Sequence, residues 1–95
     1  MNLYTVKVPS FEEEQRVEFT VDIETGSITF VCEWWDGLWH CATFLNNEEK
    51  RSCVLYPNTL YYTKDKLYSF KTVTDKLTIG FGDLSELTIV VGVEE

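Results

Sequence analysis

The dipeptide Asp36-Gly37 lies between two runs rich in β-branched and aromatic residues, residues 28–35 and 38–45. Asp-Gly fits the two-residue turn that joins antiparallel strands, because both positions of that turn need a positive φ. The two runs are therefore predicted to form one β-hairpin. Such a turn restricts the fold strongly, since it sets the register of both strands and hence the face that each side chain takes.

The register of this hairpin follows by counting outward from the turn. The predicted cross-strand pairs are Trp35–Leu38, Trp34–Trp39, Glu33–His40 and Cys32–Cys41. Side chains alternate between the two faces of a sheet. The face predicted to enter the core carries Cys32, Trp34, Trp39 and Cys41, and the opposite face carries Glu33, Trp35 and His40. From this alternation, Trp34→Ala is expected to cost roughly 3–5 kcal/mol if the ring is buried, whereas Trp35→Ala should spare folding and harm assembly.

A period of two continues through most of the chain outside the hairpin. Apolar and polar residues alternate at residues 17–23, 67–73 and 87–93, and shorter strand-like stretches occupy residues 1–9, 52–56 and 77–82. Residues 46–50 are polar and are predicted to form a loop, and residues 60–62 are ambiguous. Residues 10–15 are the one helix candidate, but at about one turn they fit a loop better. The patterns predict one all-β domain over residues 1–95, a small antiparallel sandwich or barrel of seven to eight short strands with little or no helix.

The charge balance excludes several classes of partner. The chain carries 16 acidic and 8 basic residues, for a formal charge of −8 at pH 7, which repels nucleic-acid backbones and anionic membrane surfaces. No apolar run reaches the roughly 18 residues that a membrane span needs, and the N-terminus lacks the apolar stretch of a signal peptide. Three cysteines, an odd number, favour a reducing compartment. The sequence therefore predicts a protein that binds neither nucleic acid nor membrane.

The polar and sulfur groups of the hairpin allow several interpretations. A metal site would use His40 with Cys32, Cys41 and Cys53, but His40 and Cys41 are adjacent on a strand and point to opposite faces. A Cys32–Cys41 disulfide fits two directly opposed residues, although free buried thiols are favoured in a reducing compartment. Glu33 and His40 could form an acid–base couple, but no nucleophile or third orienting group accompanies them, so a cross-strand charged pair is favoured. No catalytic residue, cofactor or metal ligand is predicted, and the chain is interpreted as a non-enzyme.

Trp35 shares the more polar face with Glu33 and His40, and two interpretations of it stay open. An exposed tryptophan there would mark a contact surface, whereas a second covering layer of protein would make it part of the core. Tyr61 and Tyr62 join these three residues as interface candidates, because the tyrosine-rich segment around them fits either core or interface.

The order of strands and turns resembles the small phage tail proteins called the baseplate plug family. The likeness begins with an N-terminal strand that ends at Val8-Pro9, followed by the alternating strand at residues 17–21. It continues through the tryptophan-bearing hairpin at residues 33–43, a strand-and-proline segment at residues 54–59, and residues 76–84 before a last strand. The chain departs from the pattern in being more acidic and in having Cys53-Val54 where a glycine is typical.

The resemblance implies a non-enzymatic structural subunit of a contractile phage tail. Such a subunit would be made in the host cytoplasm, lie in the virion tail in several copies, and dock against tube, hub or wedge neighbours through strand edges and exposed aromatics. An alternative from another class rests on the charge. A small acidic protein can inhibit a nucleic-acid enzyme by occupying its basic groove, as anti-restriction and anti-CRISPR proteins do.

Overall fold

The computed structural model describes residues 1–9 and 14–95, which form two antiparallel sheets packed face to face. The predicted loop or short helix at residues 10–15 lies mostly outside the described residues. The eight strands are β1 (Asn2–Lys7), β2 (Arg16–Ile23), β3 (Gly26–Trp35), β4 (Leu38–Leu45), β5 (Glu48–Val54), β6 (Leu60–Tyr62), β7 (Tyr68–Val73) and β8 (Thr88–Val93), with a 3₁₀ helix at Phe81–Glu86. The predicted all-β fold is confirmed, as a sandwich that does not close into a barrel over the described ranges.

The two sheets are built differently from the chain. Sheet I has the order β2-β3-β4-β5, in which neighbours in sequence are neighbours in space. Sheet II has the order β1-β8-β7-β6, so the first strand pairs with the last and Asn2 lies opposite Val93. Sheet I contains the hairpin, whose predicted register is confirmed at every pair. Asp36 and Gly37 have φ values of 55° and 71°, as a two-residue turn requires.

Aromatic rings from the two sheets pack against one another in the core. Phe30 of sheet I stacks on Phe19 with ring centroids 5.1 Å apart, and its edge meets Phe70 of sheet II at 5.3 Å. Tyr61 stacks on the other side of Phe70 at 4.9 Å. Pairs of this kind contribute about 0.5–1.5 kcal/mol each beyond the burial of their area. The core therefore holds the two sheets together through one continuous line of rings.

Buried hydroxyl groups add polar links between the sheets. The Tyr68 hydroxyl of β7 donates to Thr43 Oγ1 of β4 at 2.8 Å, and both residues are buried. The Tyr61 hydroxyl donates to the Val54 carbonyl at 2.8 Å, which holds the segment that crosses from sheet I to sheet II. Burial raises the pKa of both phenols, so both hydroxyls keep their protons as donors.

Two of the sequence predictions are wrong in detail. Residues 46–50 are not a loop, because Asn46 and Asn47 form a two-residue turn with φ values of 49° and 70°, and β5 begins at Glu48. Asparagine reaches this left-handed region more easily than most residues. The alternation at residues 77–82 does not produce a strand; Leu77 is 95% exposed, and a 3₁₀ helix begins at Phe81. The Asp83 carboxylate accepts a hydrogen bond from the Gly80 backbone N–H at 2.9 Å and closes that helical turn.

Gly26→Ala is expected to lower the free energy of unfolding by about 1–3 kcal/mol. Gly26 has a φ of 147°, and a Cβ there would lie 1.9 Å from Asn46 Oδ1. That oxygen accepts the Ser27 backbone N–H at 3.0 Å, so moving the Asn46 side chain also breaks a contact between two turns. Urea denaturation measures the change. Gly82→Ala is the matched control, because nothing lies within 4 Å of a Cβ at that position; equal losses in the two variants would contradict this account.

Candidate functional site

The ring of Trp35 lies on the surface, at the end of β3 beside the hairpin turn. It is 56% exposed and stacks on the His40 ring, with centroids 3.6 Å apart and planes 6° from parallel. His40 Nε2 lies 3.2 Å from the Trp35 carbonyl oxygen. Of the two interpretations that the sequence left open, burial of Trp35 in the core is therefore wrong. The stacked pair forms a flat aromatic platform whose two rings hold one another in place.

A depression with two carboxylates lies beside this platform. The outward side chains of sheet I, here called the Trp35 face, include a shallow depression of about 270 Å³. It is lined by Val31, Glu33, Trp35, His40, Cys41, Ala42, Glu49 and Ser52. The other charged groups that point outward are on β2, where Arg16 pairs with Glu18 at 3.3 Å and Asp22 lies farther along. The described strands of this face thus carry four carboxylates and one guanidinium, but only Glu33 and Glu49 line the depression beside the platform, and Arg16 lies opposite Glu33.

Glu33 and His40 occupy opposite positions of the register but do not form the predicted charged pair. No ion pair joins these two side chains, both of which belong to the described part of the chain. His40 turns diagonally toward Trp35, which is within reach of a long or aromatic side chain across antiparallel strands. The Glu33 carboxylate is left exposed beside the platform.

The two tyrosine candidates lie on opposite sides of sheet II. Tyr62 is 57% exposed and keeps its place as a surface candidate. Tyr61 is only 5% exposed and packs in the core against Phe70, so its prediction as an interface residue is corrected. Both belong to β6, where successive side chains must alternate. Arg51 of β5 donates to the Tyr62 carbonyl at 2.7 Å, which joins the edges of the two sheets.

Asp65 stabilises the same edge and makes it sensitive to acid. Hydrogen bonds from Thr63 Oγ1 and the Leu67 backbone N–H, and the Lys50 ammonium at 3.0 Å, lower the pKa of Asp65 to about 2. Because the folded-state pKa lies below the unfolded value of 3.8, this contribution is complete above about pH 4 and is lost as the pH falls through about 2.

We expect the urea midpoint of Asp65→Asn to lie below that of the unmodified chain at pH 5, with the gap closing toward pH 2. The neutral amide accepts weaker hydrogen bonds than a carboxylate does, and it forms no ion pair with Lys50. The variant therefore loses less stability on acidification. Asp75→Asn in the following turn is the matched control. A gap that stays constant with pH would show that the carboxylate charge is not what stabilises the turn.

The four hairpin residues predicted for the core all point inward. Cys32, Trp39 and Cys41 are buried, and Trp34 is partly buried against them. The rings of Trp34 and Trp39 meet edge to face at 5.5 Å. The Trp39 indole N–H donates to the Gly80 carbonyl at 3.0 Å, so this side of the hairpin holds the start of the 3₁₀ helix.

A third cysteine joins the pair that the register predicts. Cys41 lies opposite Cys32 on β3 and opposite Cys53 on β5, so three thiols follow one another across sheet I. All three are free. Contact with Cys32 and then burial raise the pKa of Cys41 well above its usual range, and burial raises that of Cys53. Protonated thiols are poor nucleophiles, and here they act as small apolar side chains.

Over residues 1–9 and 14–95, no three histidine, cysteine, aspartate or glutamate side chains are grouped so that they could hold a metal ion. The same ranges contain no helix long and apolar enough to cross a bilayer. The chain matches no protein-family model, no curated protein and no solved structure. The Trp35 face is therefore the candidate site on the strength of its own geometry.

Proposed function

We propose that this chain is a non-catalytic subunit of a protein assembly and that it docks through the Trp35 face. The observation that carries the proposal is the Trp35–His40 stack, which leaves a tryptophan 56% exposed beside the carboxylates of Glu33 and Glu49. Tryptophan contributes heavily to binding where it is covered at an interface. Its stacking partner restricts the ring before binding, so little conformational entropy is lost when a partner covers it.

The assembly we propose is the baseplate of a contractile phage tail, with tube, hub or wedge subunits as neighbours. The resemblance in strand and turn order described above supports this choice. The arrangement of the hairpin adds support, because a face with an exposed aromatic platform suits a small part that is held between larger ones. In this proposal the chain lies in the virion and contributes contacts rather than chemistry.

A second candidate function is favoured by the charge of the same face. Glu18, Asp22, Glu33 and Glu49 are spread over the outward side of sheet I. Carboxylates on one face can occupy the phosphate sites of a basic groove, so the chain would then inhibit a nucleic-acid enzyme. Such a complex would bind tightly at low salt and weaken steeply as salt is added.

The decisive experiment compares virions assembled from a genome that encodes the unmodified chain, Trp35→Ala or Tyr56→Ala. Tyr56 is the matched control because it is an aromatic residue of similar exposure, 52%, that follows the end of β5 and does not line the depression beside Trp35 and His40. We expect the chain in purified virions, at least about tenfold less of it for Trp35→Ala, and normal amounts for Tyr56→Ala. Absence of the unmodified chain from virions would overturn the tail role, and tight, salt-sensitive binding to a basic nuclease would then establish the inhibitor.

A further inference from the structure

The outward side of sheet II has the opposite character to the Trp35 face. Its side chains form two rows across the four strands, Leu3–Gly92–Ser69–Tyr62 and Thr5–Val90–Lys71–Leu60. The charged residues that point outward from the described strands of this sheet are Lys7 and Lys71, and Lys66 and Glu94, just beyond strand ends, line a depression beside Tyr62. We call these outward side chains the Lys71 face.

The Lys71 face is also unusually apolar for an exposed sheet. Met1 is 73% exposed, Leu3 69%, Tyr62 57% and Leu60 47%. Leu3 lies on β1, whereas Leu60 and Tyr62 lie on β6 at the opposite edge of the sheet, and Met1 and Tyr62 line the depression over Gly92 between these edges. Gly92 lies between Leu3 and Tyr62 in the first of the two rows. Because glycine has no side chain, the depression forms there, and the Met1 side chain packs over Gly92. Contiguous exposed apolar groups on a small protein mark a surface that another molecule covers.

The two faces of the sandwich complement one another. The described strands of one face carry an aromatic platform and more carboxylates than cations, and those of the other carry leucine and tyrosine side chains with Lys7 and Lys71. We propose that the Trp35 face of one copy docks on the Lys71 face of a second copy, so that copies associate front to back. This inference rests on the proposed function and names the first partner of the docking site.

Charge favours this arrangement over a two-fold symmetric dimer. A symmetric contact places the same patch on both sides. Two Trp35 faces would bring Glu33 and Glu49 of one copy against those of the other, and two Lys71 faces would oppose Lys7 and Lys71 to themselves. Like charges across an interface oppose binding, whereas the front-to-back contact brings opposite charges together.

The size of the faces sets the strength of the contact. The Lys71 face is the smaller one and limits the contact: four strands about 4.8 Å apart, most of about six residues of 3.4 Å, give a projected area on the order of 400 Å². This is at the small end for a specific interface. We therefore expect weak association in dilute solution, with a dissociation constant of roughly 10 μM to 1 mM. A pair of copies joined front to back has one unused face at each end. Further copies can therefore bind there and form a ring or a stack, in which each copy is held by two neighbours.

The test is analytical ultracentrifugation of the full chain up to about 1 mM at low ionic strength. We expect association that weakens with added salt, and about tenfold weaker association for Glu33→Lys or Lys71→Glu alone. Mixing these two variants should restore association at the same total concentration, because each supplies the face that the other lacks. Glu86→Lys and Lys76→Glu are the matched controls, since these exposed residues pair with each other beside the 3₁₀ helix and lie off both faces.

A chain that stays monomeric at about 1 mM would overturn the inference, as would variants that fail to complement one another on mixing. A discrete dimer that Lys71→Glu leaves intact would show a symmetric contact instead, and would overturn it too. These results are separable from the proposed function. A chain that is monomeric alone but reaches virions in a Trp35-dependent manner would keep its docking role and would have a different protein as its first partner.

Discussion

Replacing Trp39 with alanine is expected to lower the free energy of unfolding by about 3–5 kcal/mol. Trp39 is the largest of the fully buried side chains. Its ring stacks on Phe81 at 5.6 Å, and its indole N–H donates to the Gly80 and Phe81 carbonyls. The substitution thus opens a cavity in the core and also removes the donor that holds the start of the 3₁₀ helix. Urea denaturation measured by circular dichroism gives the change.

The neighbouring tryptophans provide the internal controls. Trp34 is only partly buried, so we expect Trp34→Ala to cost less, about 1–3 kcal/mol. Trp35→Ala should change stability by about 0.5 kcal/mol or less, because the ring is exposed. A loss for Trp35→Ala equal to that for Trp39→Ala would contradict the assignment of the two hairpin faces.

Thr43→Val should cost about 1–3 kcal/mol, mainly through the lost hydrogen bond from Tyr68, since the second bond, from Thr43 Oγ1 to the Arg51 carbonyl, is long at 3.4 Å. Valine has nearly the shape of threonine, so packing is preserved while the Tyr68 hydroxyl loses the acceptor it reaches at 2.8 Å. Both partners are buried, so water cannot replace the missing oxygen. A buried donor without an acceptor carries the cost of its desolvation.

A double-mutant cycle with Tyr68→Phe isolates this contact. Thr43→Val with Tyr68→Phe removes both hydroxyls, so the combined loss should be smaller than the sum of the two single losses by about 1 kcal/mol or more. Thr43→Ser keeps the hydroxyl and serves as the control for the lost methyl group. Strictly additive losses would show that the two hydroxyls do not depend on one another.

The hairpin could be predicted from sequence because Asp36-Gly37 is a local signal whose geometry determines the register. The next turn, Asn46-Asn47, has the same geometry but lacks glycine, so its polar flank was interpreted as a loop. Even with this turn correctly assigned, counting back along β5 would not place Cys53 opposite Cys41. The register shifts between Thr43 and Phe44, and this bulge is what brings Cys53 opposite Cys41. A bulge depends on how the sheet must bend over its core, which local sequence does not specify.

For the candidate site too, the local sequence predicts one part of the arrangement and the packing of the two sheets decides the rest. Alternation along β3 placed Trp35 and Glu33 outside, but whether anything covers that face depends on the other sheet. Alternation also required Tyr61 and Tyr62 to point in opposite directions, without saying which one enters the core. The answer comes from pairing with β7, where Tyr61 lies opposite the buried Phe70. The alternation at residues 77–82 did not give a strand, because Ile79 is buried while Leu77 is exposed and the chain turns into the 3₁₀ helix at Phe81.

The pairing of β1 with β8 determines when this chain can finish folding. The strands of sheet I follow one another in sequence, so that sheet can form as soon as residues 16–54 have left the ribosome. Strand β1 is synthesised before the strands of sheet I, yet its partner β8 follows them and ends at Val93. Closing a loop of this length is slow compared with forming hairpins. During synthesis, β1 therefore waits without a partner strand until β8 emerges.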